Sequence, residues 1–81
     1  MDALDGNAIA GRLRDVFGVE LTTSRSVCAH CGAEARVAEL RVYDRAPGTV
    51  VRCRSCEEVV MVLVDVRGYT SVDCRMLELL D

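Results

Sequence analysis

Lysine and tryptophan are missing from this sequence, histidine and proline occur once each, and Phe17, Tyr43 and Tyr69 are the only aromatics. Each shortage excludes something. With so few rings, any core must be assembled from Val, Leu, Ile and Ala, which bury little area per side chain. The formal net charge is −3 and all ten basic residues are arginine, so the strong basic excess usual in nucleic-acid binders is lacking. The longest apolar run, Val59–Val64, is far too short to cross a bilayer as a helix. Met1 leads into Asp2, Asp5, Gly6 and Asn7 with neither a basic start nor an apolar stretch, so no secretory leader is expected and the expected location is cytoplasmic. The single histidine, His30, lies between two cysteines, which leaves no serine or cysteine nucleophile with a histidine base. No glycine-rich phosphate loop is present, and Asp2, Asp5 and Asp15 are accounted for by capping or solvation. No enzymatic activity is expected.

What is abundant is cysteine. Half of the 81 residues are apolar, enough for a folded domain, but a chain of this size commonly needs a staple. Cys28-Ala29-His30-Cys31-Gly32 and Cys53-Arg54-Ser55-Cys56 supply one. Two residues between paired cysteines let a tight turn aim both sulfurs at one point, and in a reducing compartment such pairs point to metal rather than to disulfides. Four thiolates at a Zn–S distance of ~2.3 Å close a tetrahedral site with no open position, which makes the expected zinc structural and not catalytic. Such a site supplies roughly 10–16 kcal/mol, more than the net stability of most small domains. Redox-active pairs are disfavoured because neither pair opens a helix in a βαβ pattern. A rubredoxin-like iron site would use the same ligands, but its second knuckle would carry glycine where Glu57 stands. His30 is expected at the knuckle tip, outside the ligand set, and Cys74 as a buried apolar residue beside Val72 and Met76.

Along the chain, Ile9, Leu13, Val16 and Phe17 share one face of a short N-terminal helix, capped by Asp5 or Asn7, weakened by Gly11 and ended by Gly18. Residues 19–27 read as a polar connector. Val37–Tyr43 alternates as a strand, Asp44-Arg45-Ala46-Pro47-Gly48 makes a turn, and Thr49–Cys53 returns. Glu58–Val66 is a third strand, Arg67-Gly68 a tight turn and Tyr69–Leu77 a fourth strand. In the third strand Val60, Val62 and Val64 face one way while Val59, Met61 and Leu63 face the other. An antiparallel strand open to water on one side should be polar there, so covers are expected on both faces: the chain's own loops on one, and the N-terminal helix or a second copy on the other.

Charge is uneven. Residues 36–54 sum to +3 through Arg36, Arg41, Arg45, Arg52 and Arg54, while residues 57–81 sum to −4. The arginine band is a candidate partner-binding surface, equally readable as a solvated strand face. Leu4-Asp5-Gly6-Asn7-Ala8, Phe17-Gly18, the two cysteine pairs, and Glu39-Leu40-Arg41-Val42-Tyr43 through Ala46-Pro47-Gly48 resemble a group of small bacterial zinc-ribbon-like proteins of unknown function. The likeness covers most of the chain up to Cys56 and implies a zinc-ribbon fold without naming an activity.

The expected protein is thus a small, metal-stapled, mostly β domain: a zinc ribbon of about four antiparallel strands with one N-terminal amphipathic helix. Residues 1–81 form one domain, divided into helix (1–18), connector (19–27), zinc-binding ribbon (28–56, ligands Cys28, Cys31, Cys53 and Cys56) and β-hairpin (57–81). The expected role is a non-catalytic binding or adaptor module with one structural Zn²⁺, a protein partner and a possible homodimer state. Alternatives are a weak nucleic-acid binder using the arginine band, or an iron electron-transfer protein.

Overall fold

The computed structural model describes residues 4–18, 20–45 and 48–80, with Asn7 and Arg45 described by backbone alone. In chain order the elements are β1 (Leu4–Asp5), a 3-10 turn (Gly6–Ile9), α1 (Ala10–Phe17), β2 (Arg25–Cys28), β3 (Glu34–Arg36), a second 3-10 turn (Val37–Glu39), β4 (Arg41–Arg45), β5 (Gly48–Arg52), β6 (Val59–Val66), β7 (Tyr69–Cys74) and β8 (Leu77–Leu79). They make two antiparallel sheets, one ordered β1-β4-β5-β6-β7 and the other β3-β2-β8. The expected mostly-β class with one short helix holds. The four anticipated strands are the meander β4 to β7, and four shorter strands flank them. The turn residues Ala46 and Pro47 lie outside the described residues.

The alternation of β4 to β7 sorts their side chains. Val42, Val51, Met61 and Leu63 point to one side and are fully or nearly fully buried. Ile9 and Leu13 close over that side, with Leu21, Val37, Leu40 and Val60 completing the core. Arg12 pins the helix down: its guanidinium donates to the buried Thr49 hydroxyl at 2.8 Å and reaches Asp65 at 3.4 Å. Thr49 in turn donates to Asp44 at 2.9 Å, so this polar group inside the core is satisfied on both sides.

Several local expectations are corrected. The helix starts later than expected because Leu4 and Asp5 pair with Val42 and Arg41 of β4. Its N-cap is Ile9, with no side-chain cap, in place of Asp5 or Asn7. Gly18 ends it as expected, in the left-handed conformation at φ 76°. Val16 and Phe17 are exposed rather than buried, because the helix's last turn overhangs the end of the β6–β7 hairpin beside Gly68, Tyr69 and Thr70. Val37–Glu39 is a 3-10 turn and not the start of a strand; Glu39 accepts from the Arg36 backbone N–H at 2.8 Å and holds the turn closed. The second half of the 19–27 connector is β2, the central strand of the small sheet. Its polar look came from Ser26, which is buried and donates to the Ala35 carbonyl at 2.9 Å.

Two consecutive residues of β6, Val60 and Met61, are both buried, which strict alternation forbids. A bulge explains it: Val51 pairs with Met61 but Arg52 pairs with Val59, leaving Val60 without an opposite residue. The Val60 carbonyl then accepts from the backbone N–H groups of Arg75 and Met76, steering the chain out of β7 toward the small sheet. Tyr69–Leu77 is therefore not one strand but two, in different sheets.

Glycine positions give a sharp contrast. A Cβ on Gly6 would sit 1.8 Å from the Val37 carbonyl oxygen, whereas one on Gly11 would meet nothing within 4 Å. Gly6→Ala should cost about 3 kcal/mol or more by forcing two backbone segments apart. Gly11→Ala should instead add about 0.5–1 kcal/mol by favouring the helix. Chemical denaturation of the two variants checks both signs.

Candidate metal centre

Each cysteine pair sits where a strand ends and the chain must reverse. Cys28 is the last residue of β2 and Cys53 follows β5, so the two turns hang from different sheets. Their backbones repeat the same design. In the first, the Cys28 N–H donates to the Ala33 carbonyl at 3.0 Å and the Gly32 N–H to the Cys28 carbonyl at 2.8 Å. In the second, the Cys53 N–H donates to the Glu58 carbonyl at 2.9 Å and the Glu57 N–H to the Cys53 carbonyl at 3.0 Å. Gly32 and Glu57 occupy equivalent left-handed positions, at φ 78° and 66°.

The turns bring all four sulfurs to within 4.8 Å of one another. Cys28 and Cys56 are 3.8 Å apart and Cys31 and Cys53 are 3.7 Å apart. A tetrahedron with metal–sulfur bonds of ~2.3 Å has edges of ~3.8 Å, so these spacings suit a tetrathiolate ion, while a disulfide would need ~2.05 Å. Both of these contacts run between the knuckles, as a clamp joining the two turns requires. Cys28 and Cys53 are buried, Cys56 half-buried and Cys31 exposed, so the centre is open to solvent on one side only.

Burial alone would push the Cys53 thiol up, but the backbone N–H groups of Cys56 and Ser55 point at its sulfur and lower it to about 7. The Ser55 N–H lies 3.3 Å from that sulfur. Cys56 goes the other way: a bond from the Glu58 backbone lowers it, yet burial and the three neighbouring thiols prevail and push it up to about 12. Four clustered sulfurs do not all ionise without a cation among them.

His30 is exposed and outside the ligand group, as expected for a knuckle tip. Cys74 corrects its expectation: it is exposed, because β7 is the outer strand of its sheet. The arginine band is largely spoken for. Arg54 pairs with Glu39 at 2.8 Å and Arg41 with Glu57 at 3.4 Å. Arg36 donates to the Thr23 carbonyl at 3.0 Å, and Arg52 donates to the Glu57 carbonyl at 2.7 Å while lying 5.9 Å from the Tyr43 ring centroid. Arg45 is placed in β4, and its side chain lies outside the described residues.

Glu57 is the functional residue that sequence reasoning undervalued. Its departure from glycine was visible and weighed against an iron-type knuckle, yet it adopts the glycine-like conformation regardless. Left-handed backbone costs a non-glycine residue roughly 1 kcal/mol. The Glu57 carboxylate recovers part of this by pairing with Arg41 and accepting from the Tyr43 hydroxyl at 3.4 Å, while its backbone carbonyl accepts from Arg52, so the second knuckle is tethered to β4 and β5.

A family model described as a family of unknown function (DUF6510) matches residues 1–81. No curated protein and no solved structure matches the chain.

Two outcomes are expected. Glu57→Gly should be close to neutral in stability, since relieved strain offsets the exposed contacts, whereas Glu57→Ala should lose about 1 kcal/mol by keeping the strain and dropping them; thermal denaturation separates the two. Metal uptake should release protons, fewer than four at pH 8 because Cys53 has already lost its own, and affinity should fall as the pH drops through 7. Titration calorimetry in buffers of different ionisation enthalpy counts them.

Proposed function

Since the chain belongs to the DUF6510 family of unknown function, we propose from its site alone that it is a non-catalytic binding module clamped by one structural zinc ion. The carrying observation is the sulfur cluster, in which cross-knuckle spacings of 3.7 and 3.8 Å suit a tetrahedral tetrathiolate site. Four protein ligands leave no position for water or substrate. The ion's work is mechanical: it joins a knuckle from the small sheet to a knuckle from the large one. What the clamp holds still is a surface, and a protein is its proposed partner. The engagement of Arg36, Arg41, Arg52 and Arg54 by groups of their own chain weighs against phosphate binding as their main task.

Purified protein should contain one equivalent of zinc and be colourless. Cobalt(II) substitution should give the intense visible bands of a tetrahedral thiolate centre, and Cys53→Ser should weaken them. Red protein containing iron would replace the zinc reading with the electron-transfer one. Steeply salt-dependent binding of DNA or RNA would replace the protein partner with a nucleic acid.

A further inference from the structure

The large sheet ends at β7, and the outer side of that strand has no neighbouring strand among the described residues. Val66 and Tyr69 close a two-residue turn in which Arg67 and Gly68 both take positive φ, so they exchange main-chain bonds across the hairpin. Bonded pairs then alternate, which aims the N–H and C=O groups of Tyr69, Ser71 and Asp73 at β6. The Arg75 N–H, reaching the Val60 carbonyl at 3.0 Å, keeps the same phase. Thr70, Val72 and Cys74 therefore turn their main-chain groups outward, and among the described residues no backbone bond meets them. Exposed edges are normally kept short, or interrupted by lysine, proline or a bulge. The other outer strands are short: β1 has two residues, and β3 and β8 have three each. β7 has six, in unbroken register with β6 and with neither lysine nor proline.

We infer that β7 pairs antiparallel with β7 of a second copy across a two-fold axis, so that one sheet runs through both. The proposal rests on reading the chain as a binding module and names its partner. A row of unpaired N–H and C=O groups is matched by another strand, which fixes the kind of occupant. The register speaks for a second copy. With the axis on Val72, that residue faces itself and Thr70 faces the second copy's Cys74, so every outward residue of both edges is bonded. An axis on Ser71 or Asp73 leaves an outward residue unmatched, and on Asp73 it also sets two carboxylates opposite each other. In the Val72 register no charge meets its like. Ser71 lies opposite the second copy's Asp73 in the closer, non-bonded kind of pair, where a hydroxyl donates to a carboxylate. Within each chain Asp73 pairs with Arg75 at 3.1 Å through one carboxylate oxygen, which leaves the other for that hydroxyl. The axis stands perpendicular to the sheet and keeps both α1 helices on one side. Their last turns, beside Tyr69 and Thr70, are carried to opposite ends of the paired strands.

The test is sedimentation of the metal-loaded full chain from micromolar to millimolar concentration. The wild type should pass from the 8.9 kDa monomer to a dimer. Val72→Pro removes an outward N–H that makes no bond within the monomer, and should raise the dissociation constant at least about tenfold. Val72→Ala trims the same side chain but keeps the N–H, and should still dimerise. Ser71 is exposed, so its variants leave the monomer's core untouched. Ser71→Asp should weaken the dimer about tenfold and Ser71→Arg should tighten it, because the two-fold sets each change against Asp73 twice. A wild type that stays monomeric at millimolar concentration overturns the proposal. So does a dimer that ignores Val72→Pro, or one that Val72→Ala abolishes as completely. Ser71→Asp and Ser71→Arg variants that shift dimerisation alike, or not at all, overturn it too. Metal content and melting measured on the same samples keep a failed dimer distinct from a failed metal centre.

Discussion

Four sulfurs held within 4.8 Å of one another are the constraint on which the remainder of this fold depends. They come from two turns that belong to different sheets, which otherwise meet through the shared apolar core and a few backbone hydrogen bonds. Where the chain leaves β7 for β8, the Arg75 and Met76 N–H groups meet the Val60 carbonyl of the large sheet at 3.0 and 3.4 Å. Such bonds contribute about 1 kcal/mol each. A tetrathiolate zinc contributes roughly 10–16 kcal/mol, comparable with the whole net stability of an ordinary domain. On the zinc reading the ion is therefore the joint between the two halves, and the core on the helix-covered face supplies most of the rest.

The same economy explains the surroundings. The second knuckle tolerates Glu57 at a left-handed position because its carboxylate serves as an anchor for Arg41 and Tyr43. Glu39 does a similar task at the second 3-10 turn, closing it through Arg36 and reaching Arg54 in the second knuckle. The arginines thus brace the knuckles from outside, which gives the band a structural purpose of its own.

The four-cysteine cluster was the most legible part of the sequence, because C-x-x-C spacing dictates local geometry almost without tertiary help. The meander β4 to β7 was also readable, since its alternation persists and Arg67-Gly68 marks the hairpin turn, both residues taking positive φ. The small sheet was not. β2, β3 and β8 are only three or four residues long, and Ser26 disguised a buried position as a polar one. The bulge at Val60 was hidden for a different reason: an extra residue shifts the alternation by one, and an unbroken valine run shows no shift. Val16 and Phe17 fitted a helical face, but helical periodicity does not reveal where the sheet beneath the helix ends.

Removing the ion tests this account most directly. Thermal unfolding should be followed with and without a strong chelator, under reducing conditions that prevent disulfides from replacing the metal. The account predicts that the chelated protein loses its cooperative transition and that stoichiometric zinc restores it. A transition unchanged by complete removal of metal would contradict the claim that a tetrathiolate centre holds the two sheets together.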